Sequence, residues 1–243
     1  MAVKKKKIVF VIVEGPSDST CLESIMDRLY SDKSVYFEVV HGDITSRNGV
    51  NAANIVSKIH DMVKKYMNNY HVSKKDFKEI IHLVDMDGAF IADDMILNDE
   101  NCCEIFYSTS CIRTNRVDDV INRNARKRAN ISRISMLSEI GGIRYQCYYM
   151  SCNLDHVLYD KLNSTDEEKE HDSYAFARRY KEDLPGFISF ICDSPFSFKG
   201  DYAESWKFIR DQLHSLERNT NFGICVKHAL AEEDESQCDQ LKE

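Results

Sequence analysis

Residues 7–18, with the sequence KIVFVIVEGPSD, decide the fold. Their central run, Ile8–Val13, is continuous in β-branched and aromatic residues, which is typical of a strand buried on both faces of a parallel sheet. The run stops at Glu14, and Pro16 suits the first turn of a helix, where the missing amide hydrogen would have no helical partner. Apolar residues then recur at helical spacing as far as Tyr30. The stretch therefore predicts a strand, a tight turn and a helix.

The alternation of strand and helix patterns continues along the chain. Further strands are predicted at residues 35–40, 79–84, 104–108 and 143–150, and helices at residues 51–70, 117–140, 154–162, 167–184 and 202–216. The Gly141-Gly142 pair is expected to end the helix that begins at residue 117. This alternation predicts an α/β fold with a mostly parallel sheet flanked by helices and joined by right-handed crossovers. Because the pattern is helical after residue 155, we expect a core at residues 1–155 and a helical C-terminal extension at residues 156–243 packed on it.

Composition narrows the class of protein. The 243 residues are 43% hydrophobic and 30% charged, with only 9 Gly and 3 Pro, which excludes collagen-like, low-complexity and wholly disordered classes. The apolar run Ile8–Val13 is far shorter than the ~20 residues of a membrane span. Nine cysteines are an odd number and include no CxxC pair, which indicates reduced thiols rather than a disulfide framework or a zinc ribbon. These features predict a cytoplasmic protein that does not associate with membranes.

Four acidic residues follow two of the predicted strands. Glu14 ends the first strand, and Asp18 comes four residues later on the first turn of the helix. Asp85 and Asp87 lie two apart after the strand at 79–84, a spacing that points both side chains the same way in extended backbone. Ligand sites of α/β sheets lie beyond the carboxyl ends of the strands, so the four carboxylates meet if these two strands are neighbours. Because Mg²⁺ and Mn²⁺ prefer oxygen ligands and would neutralise this charge, the pattern predicts a divalent metal site.

The motifs IVFVIVEGPSD and HLVDMDG resemble the TOPRIM domain shared by topoisomerases, primases and the OLD-type nucleases. The resemblance covers roughly residues 7–155, and the segment from Glu14 to Asp18 also satisfies the E-G-x-x-D form of the OLD-type branch. The small TOPRIM proteins of bacterial phage-defence systems look similar. The resemblance implies a TOPRIM fold and a nuclease that hydrolyses phosphodiester bonds in DNA or RNA with one or two Mg²⁺ or Mn²⁺ ions.

The resemblance also implies roles for individual residues. Asp85 and Asp87 would hold the ions and Glu14 would bind metal or shuttle a proton, so these three are the predicted catalytic residues. Related nucleases use an acid shortly after a later strand, following a small polar residue. The predicted metal ligands are therefore Glu14, Asp18, Asp85, Asp87, Ser151 and Asp155. These enzymes also use a late lysine, for which the candidates are Lys161, Lys181 and Lys199.

A basic segment between residues 113 and 133 stands out from the net charge of −8. That overall charge argues against binding nucleic acid through net charge, but a local basic track remains compatible with it. We expect this segment to contact phosphates at the rim of the acidic crevice; the alternative is an ordinary solvated helix face. The predicted nucleic-acid contacts are Arg113, Arg116, Arg123, Arg126, Lys127 and Arg128.

The sequence contains no G-x-x-x-x-G-K-[ST] phosphate loop after its first strand, so we do not expect this chain to hydrolyse ATP. The phage-defence proteins that it resembles are often paired with an ATPase that senses infection. The resemblance therefore implies an effector nuclease in anti-phage defence, with nucleic acid as substrate and an ATPase sensor as partner.

Two other functions fit parts of the pattern. The string from Asp85 to Gly88 also resembles the D-x-D-G-T motif of haloacid-dehalogenase-type phosphatases, in which Asp85 would be the nucleophile and Asp87 the acid. Ala89 stands where that family has Thr, and the motif normally opens the domain. A TOPRIM-fold subunit that binds a partner without catalysis is the third possibility. Each acidic motif by itself is also explained by the preference of acids for a helix N-terminus or a strand end.

Overall fold

The computed structural model describes the backbone of residues 6–240 and the side chains of residues 6–232; the ends of the two predicted units, residues 1–5 and 241–243, lie outside the described residues. The strands are β1 (Ile8–Val13), β2 (Ser34–Val39), β3 (Phe77–Asp85), β4 (Ile96–Asn98), β5 (Phe106–Tyr107), β6 (Ile112–Thr114), β7 (Glu139–Ile140), β8 (Ile143–Ser151) and β9 (Asn219–Thr220). The helices are α1 (Pro16–Leu29), α2 (Ile55–Tyr70), α3 (Val117–Ile134), α4 (Leu154–Tyr159), α5 (Asp166–Tyr180), α6 (Leu184–Asp193), α7 (Tyr202–Phe208) and α8 (Phe222–Gln240).

The main sheet is mostly parallel. Its parallel strands run in the order β2-β1-β3-β8, and the short strands β7 and β9 pair antiparallel with β8. β1 lies directly beside β3, with Phe10 opposite Ile80. The expectation that the strands bearing the two acidic motifs are neighbours is therefore confirmed, as is an α/β fold with a mixed, mostly parallel sheet flanked by helices.

Both faces of the sheet are covered, which explains why β1 has no polar position. Val9 and Val11 pack against α1, α5, α6 and α8 on one face. Phe10 and Ile12 belong to a second cluster, formed with α2, α3 and α7 on the other face. Helices from the segment after residue 155 thus share an apolar cluster with α1 and β1. The division of the chain at residue 155 stays a prediction.

The strand predicted at residues 104–108 does not join the main sheet. Only Phe106–Tyr107 is extended, and this β5 pairs with β6 in a separate three-stranded sheet that also contains β4. Phe106 is half exposed, and Glu104 is exposed as well. A segment with exposed positions cannot fill a place that is covered on both faces. The place beside β3 is taken instead by β8.

The helix predicted at residues 117–140 ends at Ile134. The chain then forms a hairpin in which Ile140 pairs with Ile143. Gly141 and Gly142 have φ values of +62° and +78°, which a two-residue hairpin turn requires and which glycine adopts without a side-chain clash. The glycine pair therefore reverses a strand and does not end a helix.

The C-terminal third is more divided than its sequence pattern indicates. The predicted helices at 167–184 and 202–216 end at Tyr180 and Phe208, and two further helices, α6 and α8, occur. None of the described helices combines the length and the apolar character needed to cross a membrane. The eight cysteines among the described residues are free thiols.

Candidate active site

A cavity of about 380 Å³ opens where β1 and β3 end and where α1, α4 and α5 begin. We call it the acidic cavity. It is lined by Glu14, Gly15, Pro16, Ser17, Asp18, Gly42, Asp85, Asp87, Tyr107, Asn153, Leu154, Asp155, Asp166 and Lys169. The lining thus contains six carboxylates and a single lysine. Five of the six predicted metal ligands are brought together in this one place.

The turn between β1 and α1 places the first two carboxylates. Gly15 is the N-cap of α1 and Pro16 its first residue. The carboxylate of Asp18 turns back and accepts a hydrogen bond of 2.9 Å from the Gly15 N–H, which satisfies one of the free amides at the helix start. Asp18 therefore caps the helix and also faces the cavity, so the structural and functional explanations of this residue are compatible.

A direct hydrogen bond joins the two acidic motifs. The backbone N–H of Asp85, the last residue of β3, donates to Glu14 Oε1 at 3.2 Å. The Asp85 carboxylate in turn accepts a hydrogen bond from the backbone N–H of Leu154, the first residue of α4, at 3.0 Å. The ends of β1 and β3 and the start of α4 are thereby held together at the cavity.

Asp87 reaches the cavity from a turn and not from extended backbone, which corrects the expectation from its spacing. β3 ends at Asp85, and Asp87 has a φ of +49°. Its N–H donates to the carbonyl of Cys152 at 2.7 Å, and its own carbonyl accepts a hydrogen bond from Arg123 Nη2 at 2.9 Å. Asp85 and Asp87 both line the cavity because this turn is fixed from two sides.

The later predicted residues are only partly brought to the site. Asp155, on the first turn of α4, is buried and lines the cavity. Ser151 does not line it, because its hydroxyl donates to the carbonyl of His214 at 2.7 Å. The lysine beside the carboxylates is Lys169 of α5. The three lysines named from the sequence, Lys161, Lys181 and Lys199, do not line the cavity.

The predicted basic residues occupy three kinds of position. Arg113 and Arg116 are exposed. Arg123, Arg126 and Arg128 are half-buried and donate to Asp87 O, Asn48 Oδ1 and Ala89 O. Lys127 is completely buried, so the expectation that it contacts phosphate from an exposed rim is wrong. Its position on the inner face of α3 makes it part of the protein interior.

Lys127 and Asp43 form an internal ion pair beneath the acidic cavity. Lys127 Nζ lies 2.9 Å from Asp43 Oδ2 and 2.5 Å from Asp87 Oδ2. Burial would lower the pKa of Lys127, but the neighbouring carboxylates raise it well above its usual range. Burial would likewise raise the pKa of Asp43, but the Lys127 ammonium and hydroxyl hydrogen bonds lower it to about 2. Both groups are therefore charged at neutral pH.

Three carboxylates that line the acidic cavity are unfavourable in their charged form. Burial raises the pKa of Asp85 well above its usual range, and the nearby carboxylates of Glu14 and Asp18 raise it further. Burial also raises the pKa of Glu14, with Asp43 adding to the effect. The pKa of Asp18 rises to about 6, again mainly through burial. In all three groups, burial together with neighbouring negative charges raises the pKa.

The donor set fits a hard divalent cation. The candidate ligands are carboxylate oxygens, which Mg²⁺ and Mn²⁺ prefer, and a cation among them would relieve the repulsion that raises their pKa values. Within the part of the chain that the structure describes, no three acidic, histidine or cysteine side chains already lie close enough together to form a ready-made metal group. Binding an ion therefore requires side-chain adjustment around a scaffold that already gathers the right ligand type.

Asp43, Asp166 and Lys169 are charged residues in or beside the acidic cavity that sequence reasoning missed. Asp43 follows the carboxyl end of β2, so the rule that found Glu14 and Asp85 at strand ends would also have found it. Lys169 had no local signal, because it reaches the cavity only through the packing of α5 against α1.

No protein-family model, no curated protein and no solved structure matches this chain.

Proposed function

We propose that this protein is a TOPRIM-type nuclease that hydrolyses phosphodiester bonds in nucleic acid with Mg²⁺ or Mn²⁺ held in the acidic cavity. The observation that carries the proposal is the hydrogen bond from Asp85 N–H to Glu14 Oε1, because it unites two acidic motifs from neighbouring parallel strands in one cavity. The resemblance of the same two motifs to the TOPRIM domain supports the assignment.

Each carboxylate has a part in this proposal. Glu14, Asp85 and Asp87 would hold one ion, and Asp18 and Asp155 lie where they would contribute to a second. Bound Mg²⁺ or Mn²⁺ would supply an activated water and stabilise the charge on the leaving oxygen.

The chain's own groups orient these carboxylates. The Leu154 N–H fixes one oxygen of Asp85. Lys127, which does not line the cavity, fixes one oxygen of Asp87. Among the described residues, the Glu14 carboxylate accepts one hydrogen bond, the 3.2 Å bond from the backbone N–H of Asp85. It is therefore the carboxylate best placed to accept or release a proton during hydrolysis.

The first experiment is cleavage of single- and double-stranded DNA and RNA by the purified chain with Mg²⁺, with Mn²⁺ and with EDTA. We expect metal-dependent cleavage that falls by at least about a hundredfold in Glu14→Gln, Asp85→Asn and Asp87→Asn, as is typical when a group that stabilises the transition state is lost. Asp119→Asn, which changes an exposed acid on α3, is the matched control. Wild-type rates in Asp85→Asn would refute the assignment.

The same assay separates the alternative functions. Inhibition by aluminium or beryllium fluoride, with release of phosphate from a small phosphomonoester, would identify a phosphatase that uses Asp85 as nucleophile. Metal binding without any cleavage would identify a non-catalytic interaction subunit.

We also propose that the nuclease is an anti-phage effector controlled by a separate ATPase. The sequence has no phosphate loop, so an ATP-dependent switch would have to lie in a partner. The test is phage challenge of cells that express the chain alone or with its genomic neighbours. Restriction that needs both a neighbour and Glu14 supports the proposal, and restriction that persists in Glu14→Gln contradicts it.

A further inference from the structure

A second cavity, of about 810 Å³, lies between the end of α3, the first half of β8 and α7. We call it the aromatic pocket. Its walls include the apolar and aromatic side chains of Met136, Tyr202 and Trp206. Met136 is 81% exposed, so an apolar side chain stands open to solvent at its edge. The volume is in the range that small-molecule sites occupy in proteins.

The charged residues of the aromatic pocket are all basic. Arg144, Lys207 and Arg210 line it, and no acidic side chain is among its lining residues within the described part of the chain. Arg144 is already paired, 3.0 Å from Glu232 and 3.7 Å from Glu79. Its charge is therefore neutralised within the protein.

Arg210 differs because it has no counter-ion among the described residues. It is half-buried, and Nη2 donates to the hydroxyl of Ser135 at 2.8 Å. Its Nε is buried and has no hydrogen-bond partner in the described structure. Burial lowers the pKa of this guanidinium, as expected when a charge leaves water without a partner. Lys207, exposed on α7, likewise forms no ion pair within residues 6–232.

We propose that the aromatic pocket binds an aromatic anion of the mononucleotide class. The phosphate would pair with Arg210 and Lys207, and the base would lie against the apolar wall that Tyr202 and Trp206 form. This occupant explains both features of the pocket: a guanidinium that lacks an anion, and an apolar surface large enough for a ring system.

The aromatic pocket is separate from the acidic cavity. The two share no lining residue. The aromatic pocket contacts β8 at Tyr145, whereas the acidic cavity lies beyond the other end of that strand, about 20 Å away at ~3.3 Å per residue. Binding at the aromatic pocket is therefore independent of the proposed nuclease function, and a ligand-binding measurement tests it separately.

Trp206 is the only tryptophan of the chain, so its fluorescence reports directly on the aromatic pocket. The experiment titrates the full-length protein in EDTA with AMP, GMP, CMP and UMP, and in parallel with adenosine and with inorganic phosphate. EDTA prevents metal-mediated binding of phosphate at the acidic cavity. We expect saturable quenching by at least one mononucleotide, and binding of adenosine and of phosphate at least about tenfold weaker, because each lacks half of the recognised groups.

Two variants test the contacts. Arg210→Gln should weaken mononucleotide binding about tenfold or more, as loss of a charge-assisted hydrogen bond does, while Arg178→Gln, an exposed change on α5, should leave it unaltered. If Arg210→Gln does not fold by circular dichroism, Ala203→Phe obstructs the pocket from an exposed lining position and should abolish the quenching. Absence of saturable quenching by all four mononucleotides would overturn the proposal. Equal affinity for adenosine, or unaltered binding in the pocket variants, would overturn it as well.

Discussion

The ammonium group of Lys127 lies 2.5 Å from Asp87 Oδ2, although the Lys127 side chain has no solvent exposure. The second carboxylate that it contacts belongs to Asp43, so one buried cation serves two acids. A positive charge is therefore buried next to the acidic cavity, in contact with one of its lining carboxylates. Because that charge is held inside the protein, it orients Asp87 and is not available to a phosphate in solvent.

Replacing Lys127 with Met should destabilise the protein by about 3–5 kcal/mol at neutral pH, because breaking a buried ion pair leaves carboxylates without compensation. Urea unfolding in EDTA measures this free energy. Arg133→Gln, an exposed change on the same helix, should alter it by less than about 0.5 kcal/mol. A loss below about 1 kcal/mol in Lys127→Met would show that the interior does not depend on this ion pair.

The contribution of the pair itself can be separated by a double-mutant cycle. Adding Asp43→Asn to Lys127→Met removes one of the stranded carboxylates, so the double variant should be more stable than the sum of the single changes predicts. Additive effects would indicate that Lys127 acts through packing alone.

His82 should make the protein less stable in mild acid. It is buried in β3 with Nδ1 2.8 Å from the Tyr145 hydroxyl, and burial lowers its pKa to about 4. The unfolded chain therefore binds a proton near pH 6.5 that the folded chain does not bind until about pH 4. The stability that this group contributes is complete above pH 6.5 and is lost as the pH falls toward 4, by about 3 kcal/mol.

The measurement is the unfolding free energy between pH 7 and pH 4 for the wild type and for His82→Gln. The difference between the two curves isolates His82 from the carboxylates, whose raised pKa values favour the folded state in acid. His228→Gln, on the exposed face of α8, is the control substitution. A constant offset between wild type and His82→Gln across this range would contradict the assignment.

The residues of the acidic cavity were predictable from sequence where they follow strands. The run Ile8–Val13 has the pattern of a strand covered on both faces, and the position of Glu14 at its end followed from that pattern. Lys127 was named from the sequence, but as a phosphate contact on an exposed rim, because charge was taken as a sign of exposure. Val120 and Ile131, seven residues before Lys127 and four residues after it, are both buried. This helical spacing places Lys127 on the inner face of α3, so helical periodicity would have predicted its burial if it had been given more weight than charge.

The strand beside β3 and the lysine of the acidic cavity could not be predicted, because both depend on tertiary packing that no local pattern encodes. β8 and not β5 lies beside β3, and this choice depends on which segment can be covered on both faces. Lys169 reaches the carboxylates through the docking of α5. Such relationships arise between segments far apart in sequence, where periodicity carries no information.

Gly88, next to Asp87, should not tolerate a side chain. Its φ is +65°, and an added Cβ would lie 2.5 Å from Leu216 Cδ2. Gly88→Ala should cost about 1–3 kcal/mol through overpacking, in addition to about 1 kcal/mol for left-handed backbone. Gly49→Ala is the matched control, because Gly49 has a φ of +81° but no neighbouring atom within 4 Å of the added Cβ. Urea unfolding should separate the two variants, and equal losses would show that the contact with Leu216 relaxes freely.

Arg113 and Arg116 are the better probes of nucleic-acid capture. Both are exposed, whereas Arg123 donates to the carbonyl of Asp87 and its loss would disturb the site itself. In a Glu14→Gln background that prevents cleavage, changing both exposed arginines to Gln should weaken binding to all sequences alike. The slope of log affinity against log salt should fall by about one per lost phosphate contact. The double change Arg178→Gln with Arg179→Gln, on exposed positions of α5, is the control, and an equal slope in both double variants would place the nucleic-acid path elsewhere on the surface.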